Sequence, residues 1–171
     1  LTLEYWFGSK EPKNITLNAS TQMPWQKKIP SSSTMPLKYR FWAKDAAGNL
    51  ANSTLVKVKV TDNDEPELVE DHTPLQGTGG RNFTISGVLE DNIGIVNVSV
   101  VYWFDWGEHK NVTLLHGRGT YSLVVDLPED ALFMYYYYRA RDAAGNWLMT
   151  TEVLVSIVSA YTSLFGGDST D

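Results

Sequence analysis

Two stretches of this chain are near copies of each other. Tyr-Arg-Phe-Trp-Ala-Lys-Asp-Ala-Ala-Gly-Asn at residues 39–49 returns as Tyr-Tyr-Tyr-Arg-Ala-Arg-Asp-Ala-Ala-Gly-Asn at residues 136–146, an offset of 97 residues. The same offset carries Tyr5-Trp6-Phe7 onto Tyr102-Trp103-Phe104, and Lys13-Asn14-Ile15-Thr16-Leu17 onto Lys110-Asn111-Val112-Thr113-Leu114. A period of this size is a domain repeated in tandem, and any fold proposed for one copy must serve for the other.

Within each copy the residues before the turn alternate. Tyr39, Phe41 and Ala43 match Tyr136, Tyr138 and Ala140, while the interleaved positions hold Arg40 and Lys44 in one copy and Arg139 and Arg141 in the other. Period two with one apolar and one cationic face predicts a strand that covers a core on one side. Asp-Ala-Ala-Gly-Asn reads as a hairpin connection: a turn through the alanines, glycine in the left-handed conformation, and the Asp side chain accepting from the turn amides. Return strands are expected over residues 53–60 and 150–158.

Elsewhere Leu1, Leu3, Tyr5 and Phe7 share a face, as do Val98, Val100, Tyr102 and Phe104, Phe83, Ile85, Gly87 and Leu89, and Tyr121, Leu123, Val125 and Leu127. Residues 25–29 are a further strand candidate, bracketed by Pro24, Pro30 and Pro36. Thr61-Asp62-Asn63-Asp64-Glu65-Pro66 interrupts the alternation with an acidic, proline-ended run, the composition of a linker. The expected division is therefore an incomplete unit over 1–62, a linker over 63–66, a complete unit over 67–160 and a tail over 161–171. Short strands with turns every eight to twelve residues make the fold class all-β, as tandem Ig-like antiparallel β-sandwiches. Under the offset, Leu1 falls in mid-module, so the first unit is expected to lack its two N-terminal strands. With strand pattern already running at Leu1 and no signal segment ahead of it, the chain is expected to be an excised piece of a longer protein.

Asp91-Asn92-Ile93-Gly94-Ile95 leading into an alternating valine strand, Gly119-Thr120-Tyr121, and the closing Ala140-Arg141-Asp142-Ala143-Ala144-Gly145-Asn146 resemble the Ig-like and fibronectin-III-like modules of prokaryotic surface proteins. The resemblance covers the second unit and the later half of the first. It implies extracellular display and names no ligand, because such modules serve as spacers, adhesins, surface-layer domains and enzyme accessories.

Six Asn-x-Ser/Thr sequons stand at Asn14, Asn18, Asn52, Asn82, Asn97 and Asn111 among only ten asparagines. Chance would supply about one or two. They point to N-linked glycans on a cell-surface protein, and their density to an archaeal source. A net charge of −6 and the absence of a clustered basic stripe argue against nucleic acid as a partner, since phosphate binding needs concentrated Lys and Arg. The absence of cysteine excludes disulfides and thiol chemistry. No apolar run is long enough for a transmembrane helix.

The acidic residues offer one candidate cofactor, calcium. Loop clustering at one end of a sandwich would gather Asp62, Asp64 and Glu65 with Glu90, Asp91 and Asp142. The plainer reading has Asp91 and Asp142 capping their own turns. Trp6, Trp42, Trp103, Trp106, Tyr135 and Tyr137 fall on or near outward positions, where they either stack on a ligand such as a sugar or stabilise the sheet across strands. Val155, Ile157, Tyr161, Leu164 and Phe165 form an apolar tail segment that could add as a strand to the incomplete unit of a neighbouring copy. His72, His109 and His116 are scattered, and Gly77-Thr78-Gly79-Gly80 lacks a phosphate-loop lysine and reads as a flexible turn, so no enzyme is expected. The function expected is a structural or assembly module of a surface glycoprotein: a spacer, surface-layer or filament subunit whose partners are neighbouring copies or adjacent modules. An adhesin or carbohydrate-binding accessory is the alternative.

Overall fold

The computed structural model describes residues 1–17, 26–114, 116–117 and 120–160. They form strands and no helix, divided into two compact units, Leu1–Asp62 and Asn63–Asp171. Among the described residues no helix is long and apolar enough to cross a membrane.

The described residues of unit 1 form a single sheet. Its strands are β1 (Thr2–Phe7), β2 (Lys13–Thr16), β3 (Leu37–Lys44), β4 (Leu50–Asn52) and β5 (Val56–Val58), in the order β2-β1-β3-β4 with β5 also paired to β3. Unit 2 is a two-sheet sandwich. It comprises β6 (Glu67–Asp71), β7 (Gln76–Thr78), β8 (Asn82–Glu90), β9 (Ile95–Phe104), β10 (Lys110–Thr113), β11 (His116–Gly117), β12 (Thr120–Asp126), β13 (Phe133–Asp142), β14 (Trp147–Met149) and β15 (Val153–Val158). One sheet runs β10-β9-β13-β15-β7, with β14 on β13, and the other runs β11-β12-β8-β6.

The 97-residue offset holds at the level of single pairs. Leu3↔Phe41 becomes Val100↔Tyr138, Tyr5↔Lys13 becomes Tyr102↔Lys110, and Leu37↔Val58 becomes Met134↔Val155. Since a slip of one residue would turn every side chain to the other face, this agreement means that both copies bury the same face.

Among the described residues only unit 2 supplies a second sheet to cover that face. Val98, Val100, Tyr102, Met134, Tyr136, Tyr138, Val155 and Ile157 are buried there against Phe83, Ile85, Leu89, Tyr121, Val125 and Leu127 of β8 and the β12 region. In unit 1 Leu3 and Tyr5 are buried, but Val56 and Val58 are 37% and 39% exposed. No second sheet occurs among the described residues of unit 1.

Three expectations need correction. Residues 26–29 are exposed and irregular rather than a strand, and Trp25 lies outside the described residues. The return strands do not run unbroken from 53 to 60 and from 150 to 158. Each starts directly after the turn as a three-residue strand, breaks, and resumes. At the break a hydroxyl takes the place of a carbonyl in the ladder. Phe41 N donates to Ser53 Oγ (3.0 Å) and Tyr138 N to Thr150 Oγ1 (2.9 Å), while Ser53 N and Thr150 N donate back to Phe41 O and Tyr138 O. Finally, the stretch 77–80 is not simply a flexible turn, because Gly77 lies in β7, paired in parallel with β15.

Candidate functional site

The acidic candidates in unit 2 are positioned by two turns. After β8, Asp91 Oδ2 accepts from Ile93 N (2.9 Å) and Gly94 N (2.6 Å), and Gly94 takes a left-handed φ of 134°. At the β13–β14 hairpin Asp142 is 1% exposed. Its Oδ1 accepts from Gly145 N (2.5 Å) and Asn146 N (2.7 Å), and its Oδ2 from Asn146 Nδ2 (2.6 Å). Ala143 N donates to Gly94 O (3.2 Å), which ties the two turns together.

Asp64 joins them: its Oδ2 accepts from Asn92 Nδ2 (2.8 Å) and its carbonyl from Asn146 Nδ2 (2.9 Å). Carboxylate oxygens of Asp91 and Asp142 lie within 4.8 Å of each other. Glu65 and Glu90 are exposed and outside this close group, and Asp62 is the last residue of unit 1.

The donor set suits a hard divalent cation in kind, since every available atom is oxygen. Both carboxylates nevertheless serve their turns, so the capping reading accounts for most of their bonding. What capping leaves over is Asp91 Oδ1, which is buried and has no hydrogen-bond partner among the described residues. The residues that would hold calcium are Asp91 and Asp142, with Asp64 bracing the asparagines beside them. Unit 1 repeats the hairpin but not the pair. Asp45 accepts from Asn49 N (2.8 Å) and Asn49 Nδ2 (2.7 Å), is exposed, and has its carboxyl held below the usual range chiefly by the Asn49 side chain. Asn92 and Asn146 were absent from the sequence candidates. The signal for Asn146 was there, in an asparagine ending both copies of the hairpin.

The outward aromatics divide by environment. Trp103 is 8% exposed because it stacks on His109 (centroids 3.9 Å, 7° between planes) and on its cross-strand neighbour Tyr135 (5.3 Å, 9°), with Tyr137 edge-on. Trp6 and Trp42 flank the Arg40 guanidinium at 6.0 and 4.7 Å, and Arg40 pairs with Glu4, holding that carboxyl below its ordinary range. Arg139 and Arg141 lie similarly over Trp147. These rings stabilise their sheets. Trp106 does not: it is 100% exposed, on a turn closed by Gly107 N to Phe104 O (2.7 Å). Its neighbour Asp105 (φ 44°) accepts from Phe133 N at 3.0 Å.

The sequon residues Asn14, Asn52, Asn82, Asn97 and Asn111 are all exposed, and Asn18 lies outside the described residues. In the apolar tail segment Val155 and Ile157 are core residues of their own unit, so they are not free to pair with a neighbour. Tyr161, Leu164 and Phe165 lie outside the described residues.

No family model and no curated protein matches the chain. Several solved structures are similar to it. The FN1–FN3 domains of chicken CNTN1 are 16% identical, with 92% of this chain and 57% of that one covered and a TM-score of 0.43. The fibronectin(III)-like modules of Clostridium thermocellum CbhA are 16% identical over 92% of this chain and 77% of that one, with a TM-score of 0.41. A Ca²⁺-stabilized adhesin with which an Antarctic bacterium binds ice is 19% identical, with 92% and 40% covered and a TM-score of 0.40.

Proposed function

We propose that the chain is a non-catalytic structural module of an extracellular, N-glycosylated surface protein, whose work is to space, present or assemble. The observation that carries this is the duplication itself. The pairing register of unit 1 recurs 97 residues later in unit 2, so the chain repeats a mechanical element rather than elaborating one around a cleft. The partners are adjacent modules or neighbouring copies, in a spacer, surface layer or filament. Exposure of the five described sequon asparagines supports glycan attachment; the archaeal source rests on sequon density alone. Intact mass of the native protein should exceed that of the bare chain by whole sugar residues, and electron microscopy should show arrays or extended chains. An unglycosylated, dispersed native protein would contradict the proposal.

Calcium belongs to the same reading, as a brace for the loops of unit 2 around Asp91 and Asp142. At a hundredfold excess over Kd it would stabilise that unit by about 2.7 kcal/mol. Identical melting temperatures in calcium and in chelator would remove it.

A second reading, an adhesin or carbohydrate-binding accessory, is favoured by one observation, the fully exposed ring of Trp106 on a pinned turn. Binding to a glycan array that Trp106→Ala abolishes would establish it.

A further inference from the structure

Unit 1 carries a groove of about 420 Å³ between β1 and the segment 27–32. Tyr5, Trp6 and Phe7 line one side, with Ile29 and Pro30 opposite. Around this apolar lining stand Lys10, Lys13, Lys27 and Lys28 against the single acid Glu11. That is a local cationic excess in a chain whose net charge is −6. All four lysines are exposed, and Lys27 Nζ lies 5.5 Å from the centre of the Tyr5 ring.

The groove follows from a departure within the repeat. The offset holds on both flanks of this segment, at Leu17 and Leu114 and again at Leu37 and Met134, so the residues between correspond without a gap. On that register Lys28 and Pro30 stand where unit 2 has Val125 and Leu127, both buried in its core. An ammonium group resists the burial that a valine accepts, and a proline cannot donate to a strand ladder. The segment therefore lies beside the sheet as exposed irregular chain, and the groove it makes with β1 is rimmed by charge.

We propose that this groove binds an acidic polysaccharide, a chain of uronate-type sugars whose carboxylates meet the lysines while ring C–H faces lie on its apolar lining. Lysine ammonium groups are point charges that tolerate the irregular spacing of carboxylates along a sugar chain. An acidic peptide would take much of its affinity from a backbone edge. However, β1, which supplies Tyr5, Trp6 and Phe7, is already paired on both sides, to β2 and to β3. The choice of a saccharide rests on the extracellular placement proposed above; the cationic groove does not.

Calorimetric titration of the whole chain with polygalacturonate tests the proposal, with dextran as the neutral control and polyglutamate as the peptide control. Polygalacturonate should bind and dextran should not, and raising salt from about 50 to about 500 mM should weaken binding strongly, as expected for exposed charges. Lys27→Glu with Lys28→Glu should weaken it about tenfold or more, equivalent to about 1.4 kcal/mol or more. Because both positions are exposed, the melting temperature should not move. The proposal is overturned if polygalacturonate does not bind, or if the double variant binds it as the parent does. Equal affinity for polyglutamate would overturn the saccharide and assign the groove to acidic peptides.

Discussion

Asp45 and Asp142 hold the same place in the same hairpin and make the same kind of turn bonds, yet water stands ready to replace only one of them. Asp45 is exposed, so Asp45→Ala lets solvent take over the amides of the turn and should change stability little. Asp142 is sealed, and Asp142→Ala would leave the Gly145 and Asn146 amides without their acceptor at a cost of about 2–3 kcal/mol. Urea unfolding of the two variants should separate them by that margin; equal losses would show that burial at Asp142 is immaterial. The buried tyrosines make a second residue-level prediction. Burial pushes the Tyr136 and Tyr138 hydroxyls well above their ordinary range, with Asp71 beside them adding to the rise and Thr73 opposing it. Tyr136 donates to Asp71 Oδ2 at 2.7 Å. The folded state thus keeps protons that the unfolded chain releases, so this contribution is complete below about pH 10 and declines as pH climbs from there toward the folded values. Absorbance at 295 nm should show these two rings ionising only together with alkaline unfolding.

The long core strands were legible because they bury alternate residues, and period two survives any change in neighbours. Phe83, Ile85 and Leu89 on β8 and Tyr136 and Tyr138 on β13 were placed inward by alternation alone, and all are core. The breaks at Ser53 and Thr150 were not legible, because a hydroxyl that completes a ladder looks in sequence like any solvent-facing residue. Removing it at Thr150→Ala leaves the amide of buried Tyr138 unsatisfied and should cost about 1–3 kcal/mol, while Thr150→Ser should restore nearly all of it. Gly77 hid for a similar reason. In a run of glycines it signalled flexibility, yet a Cβ there would come within 2.4 Å of Leu127 Cδ1 and 2.9 Å of Phe83 Cδ2, so the residue is small because the core reaches it. Gly77→Ala should destabilise unit 2 by about 1–3 kcal/mol through overpacking, again read by urea unfolding; a neutral result would mean that β7 yields freely. Asp142 was legible from the repeat, whereas Asp91, which has no counterpart 97 residues earlier, was placed beside it only by the clustering of loops expected at one end of a sandwich. The lysine groove was not legible, because Lys10, Lys13, Lys27 and Lys28 share no period and meet only where the segment around Lys28 and Pro30 departs from the strand pattern of its counterpart.

Two units with one pattern but unequal cores should not melt together. Among the described residues unit 2 has seventeen in one buried cluster, drawn from both of its sheets. The described residues of unit 1 contribute only Leu3, Tyr5 and Val60 to the buried hydrophobic set, and Val56 and Val58 lie open where their counterparts Val153 and Val155 are half-buried and buried. Each large side chain moved from exposed to buried is worth about 1.5–3 kcal/mol, so a handful of such differences exceeds the whole margin on which a small domain survives. Calorimetry should therefore resolve two transitions, unit 1 first, and a fragment of residues 63–160 should keep the later one at its original temperature. Calcium, if it binds, sharpens the assignment, because Asp91 and Asp142 both belong to unit 2. Added metal should raise the later transition. One cooperative transition in the intact chain would mean that unit 1 draws its stability from outside its own sheet, and the inequality of the two cores would then not govern how the molecule unfolds.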